Sequence, residues 1–301
     1  MRSMQKRHRE VYDICNMILI MALLIVVVYP VWFVIIASIS DPKLVSAGKV
    51  VFWPRGITLA GYKKVLEYAE IWRGYANTLF YTGAGTALNL AVTLPCAYAL
   101  SRRDMYGRNA VMALFVVTMY FSGGLIPSYL NMRDFGLVDT PWVLLICGMV
   151  STYNLIVSRT FFAGLPWEIQ EAARIDGCND FGVFGAIVLP LSMPIVAVMG
   201  LYYGVGHWNE YFNAMVYLRT RSLYPLQSFL KEILMQSKLA ETMLATETMD
   251  ASGLMALYEQ QDLANLLKYC TIIISTLPML VLYPRMQVFF EKGVMIGALK
   301  G

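Results

Sequence analysis

Chemistry in this 301-residue chain is concentrated in a few places. One is the run from Gly164 to Gly177, with Pro166, Glu168, Ile169, Glu171, Ala172, Ala173, Arg174, Ile175 and Asp176 between them. It reads as a short surface helix with both ends marked. Pro166 suits the first helical position, where its missing N–H costs nothing. Glu168 and Glu171 favour the positive end of the helix dipole. Gly177 suits the left-handed position after a helix end. Ile169, Ala172, Ala173 and Ile175 are expected to form an apolar side. Ala172 and Ala173 are small, so a partner backbone can come close. Glu171 and Arg174 are spaced for an intrahelical pair. Asn179 or Asp180, each a good N-cap, should open a second short helix. The chemistry implied is docking by a rigid helix–turn–helix elbow at 164–184, in which Asp176 caps or positions the turn.

A second set is scattered through apolar runs: Asn77, Tyr81, Asn89, Tyr120, Tyr153, Asn154, Tyr202, Tyr203, Trp208, Asn209, Glu210 and Asn213. A sugar is gripped by such groups, with aromatic faces as platforms and amides or carboxylates on hydroxyls. Polar groups inside a bilayer are costly and often face a cavity. They also serve as interface aromatics and interhelical hydrogen bonds, so both uses stand open. His207, Trp208, Asn209 and Glu210 form the densest cluster. They are the first candidate for a solute path, or else sit at the outer membrane boundary, where they would gate access or touch an extracytoplasmic partner.

Other chemistry has no footing. There is no P-loop, no zinc-protease motif and no nucleophile elbow. His8 and His207 are too separate for a metal cluster, and the five cysteines form no CxxC pair. The cysteines read as small hydrophobes in helix packing. No catalytic residue, no metal ligand and no cofactor on this chain is expected. A net charge of +4 without a dense patch gives nucleic acid no footprint.

The elements that must position these residues follow from composition. Apolar residues make up 58%, charged residues only 15%, and mean hydropathy is +0.55. Soluble domains carry about a quarter charged residues. A bilayer is the expected solvent. Crossing its core takes about 20 apolar residues in a helix. Six segments qualify, near 14–37, 76–100, 110–130, 141–163, 184–217 and 266–288. The fold class is all-α, with a six-helix membrane domain at 14–288. The fifth segment carries Pro190 and Pro194, so its spanning part begins there. The first apolar run, 14–39, is too long for a signal-peptide core and lacks a cleavage site, so it reads as a retained span.

Six spans put both termini on one side. Arg2, Lys6, Arg7 and Arg9 in the arm 1–13, with Arg102, Arg103 and Arg108 in the short link 101–109, make that side cytoplasmic. Arg285, Lys292 and Lys300 follow the last span. Lys+Arg totals on the two sides are about equal, so charge density in the arm and the link decides the orientation. The loops 38–75 and 219–265 then lie outside. The first should hold a short amphipathic helix near 59–68. The second carries Glu232, Glu241, Glu247, Asp250, Glu259 and Asp262, with a break at Ser252 and Gly253. It is either a solvated cap or a docking surface for an extracytoplasmic partner.

Glu171, Ala172 and Ala173, then Asp176 and Gly177, then Ile187 to Leu189 and Pro190 resemble in order and spacing the EAA motif of binding-protein-dependent ABC importer permeases. The six-span plan, with the elbow after the fourth span, is similar to the maltose-type carbohydrate class. The ending from Phe289 to Gly301, and Trp208, Asn209, Glu210 and Tyr211, resemble the MalG-like subunit of that class. The loop before Leu267 to Thr271 is similar to the LplC and YtcP branch, associated with complex or plant-derived saccharides.

The resemblance implies alternating access with a second, homologous permease subunit. It implies two ATPase subunits that carry ATP and Mg, and an extracytoplasmic solute-binding protein that delivers a sugar or oligosaccharide. Glu171, Ala172, Ala173, Asp176, Gly177, Leu189 and Pro190 would dock and couple the ATPase. The cytoplasmic tail 289–301 would reach the same interface. A peptide or amino-acid importer would share the elbow. An ion-coupled transporter would need paired repeats and buried acids, and neither is seen in the first four spans.

Overall fold

A computed structural model describes residues 2–246, 255, 261–262, 264–281 and 284. Among them all regular structure is helical. In chain order the helices are α1 (Arg2–Ser38), α2 (Pro42–Ser46), α3 (Ala60–Glu67), α4 (Ala69–Ser101), α5 (Arg108–Tyr120), α6 (Leu125–Asp134), α7 (Pro141–Ile146), α8 (Thr152–Ala163) and α9 (Trp167–Ile175). Then follow α10 (Asp180–Gly182), a π turn (Val183–Val188), α11 (Leu189–Leu191), α12 (Met193–Trp208), α13 (Phe212–Tyr217) and α14 (Leu226–Thr246). The last, α15, is Ala264–Val281. Residues 247, 250, 252, 253 and 259, the end of the expected sixth span at 282–283 and 285–288, and the tail 289–301 lie outside the described residues.

Among the described residues three helices are long and apolar enough to cross a membrane, or up to five if each of two bent pairs is one span. The stretch expected as a continuous span at 110–130 is such a pair, α5 and α6, bent by 117°. The bend falls at 121–124, where Gly124 has φ 89°. The second pair, Asp180–Leu191 and Met193–Trp208, is bent by 83° at Ser192. Pro194 has no N–H to donate to the Pro190 carbonyl, which frees the chain to turn there. The stretch expected as a span at 141–163 is split into α7 and α8 around Gly148, φ 77°.

The chain divides into two compact units. In the unit of 1–68 and 232–276, every residue from 12 to 32 is exposed. A helix apolar all round with no protein cover is matched to lipid. Near its end Ile36, Ala37 and Ser38 turn buried. Cys270 Sγ donates to the Ser38 carbonyl at 3.3 Å, and Ser38 Oγ lies 2.8 Å from Tyr62 Oη. Gly61 lets α3 and α15 touch: a Cβ there would stand 2.6 Å from Cys270 Sγ.

In the unit of 69–231 and 277–301, α4 is the spine. Its Leu94, Ala97, Tyr98 and Leu100 share a core with Leu155 and Phe162 of α8 and Ile195, Met199 and Tyr203 of α12. Burial of this kind stabilises by roughly 1.5–3 kcal/mol per large side chain where water is the alternative. The break between α7 and α8 would leave backbone groups unpaired in lipid. Asn89 Nδ2 donates to the Met149 carbonyl at 2.6 Å. The Ser151 N–H donates to Tyr203 Oη at 3.1 Å, and that hydroxyl lies 2.8 Å from Thr93 Oγ1. His207 Nε2 contacts Asn89 Oδ1 at 2.7 Å.

Away from the spans, Asp139 sits in the left-handed region at φ 61°. Its Oδ1 accepts the amide N–H groups of Arg219 at 2.8 Å and Thr220 at 2.7 Å, and its Oδ2 accepts the Thr220 hydroxyl at 2.7 Å. The Thr220 amide, the Thr220 hydroxyl and the Arg219 amide, in that order, hold its carboxyl below the ordinary carboxylate value.

Two outcomes are expected. A Cβ at Gly85 would meet the His207 imidazole, with Cε1 at 2.6 Å, whereas one at Gly83 meets nothing within 4 Å. Gly85→Ala should cost about 1–3 kcal/mol by overpacking. Gly83→Ala should gain up to about 1 kcal/mol of backbone entropy. Thermal unfolding midpoints in detergent compare the two. The lowered Asp139 value means its stabilisation is fully present above the ordinary carboxylate value and fades as pH falls through the lowered one. The gap in midpoint between wild type and Asp139→Asn should be open at neutral pH and close in acid.

Candidate functional site

The elbow is built by local rules at both ends of α9. Pro166 occupies the cap position, one residue earlier than expected, and Trp167 opens the helix with Glu168 in its first turn. At the far end the Gly177 N–H donates to the Arg174 carbonyl and the Cys178 N–H to the Ala173 carbonyl, each at 3.0 Å. These two bonds make a Schellman closure, and Gly177 supplies its left-handed residue at φ 87°. Asn179 Oδ1 then accepts the Gly182 N–H at 2.7 Å and caps the next helical stretch.

The expected apolar side of α9 is divided, with Ala173 turned inward and Ile169, Ala172 and Ile175 left exposed. Ala173 is buried, but its buried neighbour is Gln170, not Ile169, Ala172 or Ile175. Residues three apart share a helix face, so 170 and 173 point inward together. Gln170 Oε1 accepts the Tyr98 hydroxyl of α4 at 3.0 Å. Tyr98 also packs against Phe184 and Phe162, with ring centroids 5.2 and 6.0 Å away. Ala172 is exposed, Ile175 is 82% exposed and Phe181 is 87% exposed. Glu171, Asp176 and Gly177 are exposed around them. Leu189 packs against the core, and Pro190 follows it, exposed, just before the bend at Ser192.

The expected Glu171–Arg174 pair is replaced by a ring of four charges. Arg174 Nη2 lies 3.1 Å from Asp104 Oδ2 and 3.1 Å from Asp180 Oδ1. Arg102 closes the ring, 2.5 Å from Asp104 and 2.6 Å from Asp180. Two acids within reach outcompete one on the same helix. The guanidinium of Arg174 also sits 5.6 Å over the Trp167 ring. Asp104, Gln170, Tyr98 and Phe181 were not singled out from the sequence, and Arg102 was read only as a basic residue of the link. Asp104, a lone acid in a basic link, was the available signal.

The scattered polar set does not gather in one place. Asn77 Nδ2 donates to the carbonyls of Ser222 and Tyr224, and Tyr81 Oη to that of Leu223. Asn89 and Tyr203 hold the α7–α8 break, and Asn154 is buried in α8. Trp208 is buried edge-on to Tyr75 at 5.9 Å. Asn209 Nδ2 donates to the Val205 carbonyl. Glu210 accepts the amide N–H and the side-chain Nδ2 of Asn213. Tyr120, Tyr153 and Tyr202 are exposed. A cavity of about 390 Å³ is lined instead by α4 and α12, among them Thr82, Thr86, Gly200 and Gly204, and by Met279. Among the described residues no cluster of His, Cys, Asp or Glu could hold a metal ion.

No protein-family model matches the chain. Among curated proteins it is similar to Protein LplC of Bacillus subtilis strain 168, 36% identical over 292 residues, 97% of this chain and 96% of that one. It is similar to the same organism's polygalacturonan/rhamnogalacturonan transport system permease protein YtcP, 35% identical over 277 residues, 92% of this chain and 94% of that one. Among solved structures it matches a chain of a bacterial ABC transporter involved in the import of the acidic polysaccharide alginate. The TM-score is 0.81 at 32% identity, with 93% of this chain and 97% of that one covered. Likeness of this extent and depth, running through the elbow and the spans alike, means that the chain belongs to the family of ABC importer permeases, in its carbohydrate class.

Proposed function

We propose that this chain, paired with a second and similar permease, encloses a path for an oligosaccharide across the bacterial cell membrane, both termini lying in the cytoplasm. The single observation that carries the reading is the outward face of the elbow. Ala172 and Ile175 stand exposed on a nine-residue helix whose ends are both fixed, and Phe181 stands exposed on the helical stretch after the Gly177 turn. An apolar patch of that kind on a capped lever marks a protein contact. A lever of this stiffness suits a socket on an ATPase subunit. Glu171, Asp176 and Gly177 rim the contact. Two such ATPases bind ATP and Mg, and this chain binds neither. Coupling passes from them through Leu189 and Pro190 toward the spans.

An extracytoplasmic binding protein delivers the cargo on the opposite side, over the loops 38–75 and 219–265. The cargo class draws its support from the relatives, one a polygalacturonan/rhamnogalacturonan permease and one from an alginate importer. A chain of sugars is therefore favoured over a peptide or amino acid. Of the aromatic members of the polar set, Tyr120, 79% exposed, is the residue freest to meet a sugar.

The test is co-purification of the ATPase with the permease from membranes. Ile175→Asp and Phe181→Asp touch exposed side chains, so insertion and yield should match wild type while ATPase recovery falls at least about tenfold, the loss of about 1.4 kcal/mol. Retention of the ATPase by both variants would sink the docking assignment. Uptake of galacturonate oligomers and of arabino-oligosaccharides, compared in vesicles holding the whole transporter, ranks the cargo.

A further inference from the structure

We infer that the four-charge ring of Arg102, Asp104, Arg174 and Asp180 is the joint that locks the elbow to the ends of the spans, so that a push on α9 moves α4 and α5 with it. The inference rests on the docking role proposed for the elbow and adds positioning residues to it. Its ground is where the attachments lead. Apart from the ring, α9 is seated by packing against the π turn, with Ala173 in the core it shares with Val183, and by the hydrogen bond from Tyr98 to Gln170. The π turn continues the elbow itself, so packing on it stiffens the elbow without tying it to the 102–108 link. The ring supplies that tie.

Its geometry suits the task. Arg102 directly follows the last residue of α4, and its side chain is only 14% exposed. Arg174 lies in the last turn of α9, and Asp180 opens the next helical stretch. The Arg102–Asp180 and Arg174–Asp104 contacts cross between the 102–104 link and the elbow, while Arg174–Asp180 closes the Gly177 turn on itself. Arg108 Nη1 donates to the Arg102 carbonyl at 2.9 Å, which brings the start of α5 into the same joint. Single exposed ion pairs contribute little, but a ring in which each charge has two opposite neighbours holds its members in place collectively. The signs alternate around it, so no like charges meet.

The experiment places spin labels at Tyr106→Cys and Glu168→Cys, both exposed, with exposed Cys15 and Cys178 replaced by serine. The distance between them reports the swing of α9 against the 102–107 link. In the complex with ATPase it should be narrow and the same with and without ATP and vanadate. In Asp104→Asn with Asp180→Asn the distribution should widen and shift when nucleotide is added, with the ATPase still bound. Asp104→Glu with Asp180→Glu should restore the narrow, fixed distance, which a loss of fold would not allow. A neutralised ring as narrow and unresponsive as wild type overturns the inference, as does a nucleotide-driven shift in wild type. If the double variant does not assemble, Arg174→Gln is judged by the same criterion. Absence of ATPase from the wild-type preparation would instead sink the docking role, and the widths in permease alone would still decide the joint.

Discussion

Lipid offers no hydrogen bonds, and that one constraint explains most of what the polar residues of this chain do. Each place where a helix breaks inside an apolar run leaves carbonyls and amides that water cannot reach. The break between α7 and α8 is tolerated because Asn89 and Tyr203 reach across from α4 and α12 to its backbone. Asn89 in turn contacts His207, and Tyr203 contacts Thr93. Residues that resemble a sugar-binding set by type are thus occupied by the fold itself. The same bonds tie the broken helix to the two helices that carry its neighbours in the core.

The elbow obeys a different economy. It lies where water satisfies the backbone, so its shape comes from short-range rules: a proline cap, a Schellman closure and an asparagine cap. What those rules leave open is orientation. Orientation is fixed by contacts from far along the chain, through Gln170 to Tyr98 and through Arg174 to Asp104. A lever needs both kinds of support, one to be stiff and one to be aimed.

This division also marks what could be read from residues alone. Gly177, Asn179 and the short helix at 60–67 were legible because caps and amphipathic spacing act over a few residues. In the fifth apolar segment Pro190 and Pro194 marked where the spanning part begins, and the structure puts an 83° bend there. The bend at 121–124 had no such mark, since Ser122, Gly123 and Gly124 sit among apolar neighbours and only φ 89° at Gly124 reveals the turn. The inward turn of Gln170 was not legible, because it is buried by virtue of a partner 72 residues away. The partners of Arg174 were missed because the nearer acid on the helix was Glu171, whereas the winning acids lie beyond the Gly177 turn, at Asp180, and 70 residues away, at Asp104. Periodicity carries no information about pairs of that separation.

The π turn at Val183–Val188 has a consequence for how the chain is threaded. In an α-helix residues five apart point in well-separated directions, because a full circuit takes 3.6 residues. A turn closed by i to i+5 bonds makes the circuit wider and brings them back into line. Val183 and Val188 are both 1% exposed, so the surplus residue lets both ends of one turn face the same interior. It also sets the azimuth at which α11 leaves toward the proline-marked bend. The wide turn acts as a phase shifter between the lever and the span that follows it.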